Sequence, residues 1–255
     1  MIEINIIQKK YPDFSIEDVS LSVFPGEITL LLGHNGSGKT TIIRSLLGLV
    51  HLDLGNIKLD NIEINFQNYN SYKKFKSDIR FIPDEDVLFD YLTPVEYFQL
   101  VTISNNIDSP DFLDFLINVF DISKYTKQLI STLSHGNRKK VQIIGQILCK
   151  PKYLIIDEPT NGLDPDMIII LKQIILKLRD LGTGILISTH DLRFAENLMN
   201  NVTIIRNGKI ILQDKSDNLL KEYRTCNLED IYKKINNDYY NFIEELIENE
   251  MVKHS

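Results

Sequence analysis

The sequence is poor in cysteine, in basic charge and in long apolar runs. Its 255 residues include two cysteines, Cys149 and Cys226. They lie far apart and outside any CxxC spacing, so they are expected to be reduced, non-ligating thiols of a cytosolic protein. Basic residues number 28 against 35 acidic ones, a net charge of −7, the opposite of the basic excess of nucleic-acid binders. No apolar stretch reaches the roughly 18–20 residues needed to cross a bilayer. The longest apolar-rich piece, Met167 to Leu178, is broken by Lys172, Gln173 and Lys177. The opening MIEINIIQKK has no basic stretch ahead of its apolar residues and no small-residue cleavage site. Position 2 is Ile2 rather than glycine and the C-terminus carries no prenylation motif, so neither a signal peptide nor a lipid anchor is expected. Internal repeats and low-complexity linkers are absent too. What remains is ordinary: 43 % hydrophobic and 25 % charged residues, enough for a sizeable core in one or two units and too apolar for disorder as the main state.

Along the chain the pattern starts as β structure. Ile2, Ile4 and Ile6 alternate with polar residues, Val19, Leu21 and Val23 do the same, and Ile28 to Leu32 is a continuous apolar run of the kind buried in a sheet. Thr40 to Leu49 has helical spacing, and residues 55–64 alternate around Asp60-Asn61 as in a hairpin. From Thr93 the pattern turns helical. Thr93-Pro94-Val95-Glu96 spells a capping box with proline at the first helical position. After Ser109-Pro110, the residues Phe112, Phe115, Leu116, Val119 and Phe120 mark one helix face. Strand and helix then alternate again: Tyr153–Ile156, a helix capped by Asp164, Gly184–Ser188, a helix from Asp191 to about Asn200, and a hairpin turning at Asn207-Gly208. The last 40 residues read as acidic helices. Leu228, Ile231, Tyr232 and Ile235 are expected on one face, and Tyr239, Phe242, Ile243, Leu246 and Ile247 on another, either packing on the main unit or adding to a homodimer contact.

Two motifs carry chemistry. Gly33-His34-Asn35-Gly36-Ser37-Gly38-Lys39-Thr40 fits G-x-x-x-x-G-K-[ST] between a predicted strand and a predicted helix that continues with Thr41. Glycines there let backbone N–H groups close around phosphate oxygens, with the helix dipole adding positive potential. Lys39 is expected on the β- and γ-phosphates and Thr40 on Mg²⁺. Tyr153-Leu-Ile-Ile-Asp157-Glu158 ends an apolar strand in two acids. Asp157 suits a Mg²⁺ ligand and Glu158 the group that polarises the attacking water. Together they indicate a nucleoside triphosphatase without choosing a family.

Leu133-Ser134-His135-Gly136-Asn137 makes that choice. Lying one helix ahead of Asp157, it resembles the LSGGQ signature of the ATP-binding cassette (ABC) ATPases. The resemblance runs from about residue 2 to about residue 213. Tyr11 stands where the family's adenine-stacking aromatic lies, Asp164 in Asn161-Gly-Leu-Asp164 matches its D-loop, and His190 its switch histidine. The resemblance implies an α/β phosphate-loop core, with a mixed sheet, helices and an N-terminal antiparallel β subdomain, into which a helical subdomain is inserted at about 90–150. Residues 214–255 then form a helical C-terminal extension. It further implies a head-to-tail homodimer that sandwiches two ATP molecules with Mg²⁺. Each nucleotide would lie between one chain's phosphate loop and the other's Ser134, His135, Gly136 and Asn137, with His190 on the γ-phosphate.

The sequence departs from the family in two places. Asp84 stands at the usual glutamine of the Q-loop, where a carboxylate still faces Mg²⁺ or its water but cannot donate. His135 and Asn137 replace a glycine and a glutamine of the signature. A single cassette with Asn227-Leu-Glu-Asp-Ile-Tyr232 near its end resembles the ATPase subunits of bacterial two-component exporters. The stretch from Asp84 to Tyr97, with Leu88-Phe89 and Leu92-Thr93, resembles the segment on which membrane subunits dock. The expectation is therefore a subunit at the inner face of the cell membrane, paired with a separately encoded permease and not with nucleic acid. A soluble cassette enzyme acting on ribosomes or DNA, and a regulatory subunit without turnover, are the alternatives.

Overall fold

The computed structural model describes residues 1–225, 227–237, 240, 241, 243 and 247; Cys226, Tyr239, Phe242 and Leu246 lie outside them. Two sheets organise the chain. The smaller is antiparallel, in the order β2-β1-β4-β5, with β1 Ile2–Lys10, β2 Ser15–Val23, β4 Leu54–Leu59 and the two-residue β5 Ile62–Glu63. The larger has six strands in the order β10-β9-β3-β8-β7-β6: β3 Ile28–Leu32, β6 Ile79–Ile82, β7 Tyr153–Asp157, β8 Gly184–Thr189, β9 Asn201–Arg206 and β10 Lys209–Lys215. All of its neighbours run parallel except β10, which turns back on β9. The sequence explains why it sits inside: β3, β7 and β8 are buried at every position, as continuous apolar runs of parallel strands require.

Helices α1 Lys39–Leu46 and α2 Tyr69–Asp78 follow the first strands. Then come α3 Pro94–Asn105, α4 Pro110–Val119 and α5 His135–Ile147. Finally α6 Pro165–Asp180, α7 Leu192–Ala195, α8 Ser216–Glu222 and α9 Leu228–Ile235 complete the described chain. No described helix is long and apolar enough to cross a membrane. The capping box at Thr93 is formed, with both reciprocal bonds present. Asp164 caps α6 by accepting from Met167 N–H at 2.9 Å. Asn207 and Gly208 both have positive φ, 47° and 75°, as the tight β9–β10 turn requires.

The structure corrects four local expectations. Ile6 does not share the buried face of Ile2 and Ile4. The ladder shifts register between Ile4 and Ile7, so Ile6 bulges outward at φ 49° and is 60 % exposed while Ile7 is buried. On α4 the buried residues are Leu116 and, just past the helix, Phe120, with Leu113 and Ile117 packed behind them; Phe115 faces solvent. The helix after Asp191 ends at Ala195 rather than near Asn200. Helix α2 was not anticipated, because its polar sequence buries only Phe75 and carries no apolar stripe.

The parallel order places the site. Ligands of open parallel sheets bind beyond the carboxyl ends of the strands. Here four neighbouring strands end together. Leu32 of β3 pairs Thr189 of β8, Asp157 of β7 pairs Ser188, and Ile82 of β6 pairs Ile156. The residues that follow each strand therefore meet at one edge.

Candidate functional site

At that edge, β3 runs into the glycine loop, β7 ends on Asp157 and Glu158, β8 leads to His190, and β6 leads through Pro83 to Asp84. A cavity of about 580 Å³ is lined by Asn35 to Thr41, Asp84, Glu158 and His190, with Phe14 and Asn161. The loop folds as its glycines allow. Gly38 stands before α1 at φ 111°, and a side chain there would press on the Phe14 ring. Its opposite support comes from the β9–β10 turn, where Gly208 N–H donates to the Ser37 carbonyl at 2.9 Å. Any side chain at Gly208 would collide with the Ser15 carbonyl. The Ser37 hydroxyl is buried without a hydrogen-bond partner among the described residues, the condition of a loop built to close on a polar ligand.

The charged groups form a linked chain. Lys39 is 5 % exposed and donates to the carbonyls of Gly33 and His34 at 2.8 and 3.3 Å. Its ammonium also pairs with Glu158 Oε1 at 3.1 Å. The other Glu158 oxygen meets His190 Nδ1 at 2.9 Å. An ionised carboxylate only accepts, so Nδ1 carries the proton in that contact. Glu158 sits at φ 45°, an uncommon conformation that persists only where surroundings enforce it; its N–H is bonded to the Ser188 carbonyl at 2.9 Å. The Thr40 hydroxyl donates to Asp157 Oδ2 at 3.0 Å, and the Ser188 hydroxyl donates to Oδ1. Burial pushes the Asp157 carboxyl above the usual carboxylate range, with the charges of Glu158 and Asp84 adding and the two hydroxyls opposing. Among the described residues no group of three or more His, Cys, Asp or Glu is arranged to hold a metal by itself.

The remaining candidates lie apart from this cavity. Tyr11 is 41 % exposed just after β1, its ring 6.4 Å from that of Phe14. Ser134 caps α5, accepting from Asn137 N–H at 3.4 Å. His135 Nδ1 meets Asp86 Oδ2 at 2.8 Å, and its ring lies against Gly162. Gly136 approaches the Gly162 carbonyl, which a Cβ would meet at 2.8 Å. Ser134 to Asn137 thus abut the chain's own D-loop while the glycine loop lies elsewhere. Three residues of the site were not singled out from sequence: Phe14, Asn161 and, as the loop's support, Gly208. Asn161 opens the D-loop match Asn161-Gly-Leu-Asp164 and Gly208 completes the Asn207-Gly208 hairpin signal; Phe14 carries no sequence signal.

Comparison with known proteins agrees with this geometry. The ABC transporter family matches residues 16–161. The lipopolysaccharide export system ATP-binding protein LptB of Haemophilus influenzae is 33 % identical over 211 residues, 81 % of this chain and 87 % of that protein. The uncharacterized ABC transporter ATP-binding protein MJ1023 of Methanocaldococcus jannaschii is 30 % identical over 225 residues, 87 % and 80 % of the two chains. Among solved structures, an ATP-binding subunit of an ABC transporter superposes with a TM-score of 0.83 at 27 % identity, covering 92 % of this chain and 99 % of that one. CbiO1 of Clostridium perfringens, part of the ABC transporter complex cbiONQ, gives 0.70 at 25 % identity, covering 97 % and 98 %.

Proposed function

This chain belongs to the ABC transporter ATP-binding family, and from that membership we propose that it powers a separate membrane permease, in the export direction, as a head-to-tail homodimer at the inner face of the membrane. That it is an ATP-binding, ATP-hydrolysing subunit of transporter type follows from the family itself. The observation that supports the residue roles proposed below is the Lys39–Glu158–His190 chain beside the Thr40–Asp157 pair.

Each residue then has a task. The loop N–H groups of His34 to Thr41 and the start of α1 hold the phosphates. Lys39 exchanges its loop carbonyls for phosphate oxygens. Glu158 accepts a proton from the attacking water, and His190 holds Glu158 and faces the γ-phosphate. Thr40, Asp157 and Asp84 offer hard oxygen donors of the kind Mg²⁺ takes, and the cation when bound neutralises charge on the β- and γ-phosphates. Tyr11 stacks on adenine. Ser134 to Asn137 reach the partner's nucleotide from the N-terminus of α5, and Asp164 lies in the facing D-loop. Residues 1–213 form the ATPase unit, with about 90–150 as its helical insert, and 214–255 the extension.

Support for a permease comes from the surface after Asp84. Val87, Phe89 and Tyr91 are 68 %, 46 % and 72 % exposed. Val87 lines a cavity of about 460 Å³ together with Arg44, Leu49, Phe81, Glu85 and Gln142 among others. Leu88 and Leu92 of the same stretch pack instead on the core. The LptB relative is named for lipopolysaccharide export, which favours the export direction. The test is a pull-down with tagged Glu158→Gln protein loaded with ATP in its native host. An integral membrane protein is the expected companion; ribosomal proteins or nucleic acid in its place would overturn the permease reading.

A further inference from the structure

Asp84 is clamped from two sides. Its backbone carbonyl and that of Pro83 accept from the Lys139 ammonium at 2.9 and 2.7 Å. Its carboxylate Oδ1 accepts from Asn161 Nδ2 at 2.8 Å, its one side-chain hydrogen bond among the described residues. Lys139 belongs to α5 and has no exposed surface; burial pulls its pKa down, and the charges of Asp84, Asp86 and Asp157 oppose that pull. Asn161 belongs to the turn after Glu158. Its N–H donates to the Glu158 carbonyl at 3.3 Å, and it lines the phosphate cavity beside Glu158.

The chemistry of this junction depends on the residue at 84. A glutamine there has an amide that donates and accepts, so it can pair with many neighbours. A carboxylate accepts only, and here it adds negative charge close to Asp157 and Glu158. It needs a donor to fix its direction, and the Asn161 amide is that donor. We propose that Asn161 is a positioning residue for ATP hydrolysis that acts through Asp84. It aims the Asp84 carboxylate across the phosphate cavity and ties the segment after β6 to the turn that carries Glu158. Asp86, two residues on, is bonded to His135, so the same segment connects that turn with the signature. This inference rests on the reading of Asp84 as part of the hydrolytic site.

The test is a double-mutant cycle on the full chain, with steady-state ATP hydrolysis, binding of a fluorescent ATP analogue and amide exchange of the nucleotide-free protein. Asn161→Ala is expected to lower kcat about tenfold with KM for ATP changed by less than about twofold, since a hydrogen bond to a charged group is lost. Asn161→Asp, the same size but with a like charge in place of the donor, is expected to lower kcat at least as much. In an Asp84→Ala background, Asn161→Ala should cost less than about twofold more, because the interaction is already gone. Amides of 159–164 should exchange faster in either single variant and no faster in the double. Independent, multiplying losses in kcat, or wild-type kcat for Asn161→Asp, would overturn the link between the two residues. Wild-type hydrolysis by Asp84→Ala would instead overturn the placing of Asp84 in the site, and the inference with it.

Discussion

The glycine-loop edge and the signature segment are both motifs of one ATPase, yet they are built oppositely. At the loop edge Lys39, Asp157 and Glu158 are 5 %, 2 % and 7 % exposed; Lys39 pairs with Glu158, and Asp157 accepts from Thr40 and Ser188. Four adjacent strand ends bring them together. The signature is a helix N-terminus at the surface, where His135 leaves 58 % of its side chain in solvent. The contrast is between a cluster buried among strand ends and a helix start left at the surface.

Breaking the preassembled half has the largest expected effect. Glu158→Gln removes the group that accepts the water's proton but keeps its shape and one of the two oxygens that Lys39 and His190 contact. Phosphate release should fall by about 10³-fold, within the range for loss of a general base, while binding of a fluorescent ATP analogue stays near wild type. Near-normal turnover would take Glu158 out of that role.

The second prediction crosses the two halves. Lys39→Ala and Ser134→Arg chains should each be inactive alone. Mixed, they form hybrid dimers in which one site joins an intact loop to an intact signature. Activity should return to about a quarter of wild type, half of the dimers being hybrids with one good site each. If mixing restores nothing, the signature does not act across a dimer.

How much of this was legible in the sequence follows the same division. The loop, the acids after β7 and the histidine after β8 were readable because buried parallel strands are continuous apolar runs, and the motifs sit where those runs stop. Their meeting at one edge is set by strand order, which no local pattern encodes. Phe14 was invisible because it approaches Gly38 from the turn between β1 and β2. The bulge at Ile6 was missed because alternation predicts a regular ladder. Helix α2 was missed because Asn68 capping, with Ser71 N–H donating to its side chain, starts a helix that has almost no apolar face.

A third prediction concerns what preassembly costs. The folded chain binds the Asp157 proton more tightly than the unfolded chain does, since its carboxyl is raised. The charged form therefore costs stability above the folded-state pKa, and the cost disappears as pH falls toward the ordinary value of about 3.9. Asp157→Asn should raise the thermal midpoint of the nucleotide-free protein at pH 8 while abolishing hydrolysis. The gap from wild type should narrow as pH is lowered through that range. A midpoint below wild type at pH 8 would mean that the hydrogen bonds from Thr40 and Ser188 outweigh the buried charge.

The smallest effect is expected at the signature's departure from its family. His135→Gly restores the usual residue and removes the contact with Asp86. Asp86 keeps Arg138, whose Nε lies 3.5 Å away, so no buried charge is stranded. Glycine in the first turn of α5 costs some backbone entropy, up to about 1 kcal/mol, and the lost contact is exposed on the His135 side while Arg138 still pairs with the nearly buried Asp86 carboxylate. The thermal midpoint should therefore shift by less than about 4 °C, the response of a large domain to 1 kcal/mol or so. Hydrolysis should change by less than about threefold, because the phosphate-facing donors of a helix N-terminus are backbone groups that glycine leaves in place. A large loss of hydrolysis with unchanged stability would show that the imidazole itself reaches the partner's nucleotide, and that the exposed half of the machinery is more specialised than its exposure suggests.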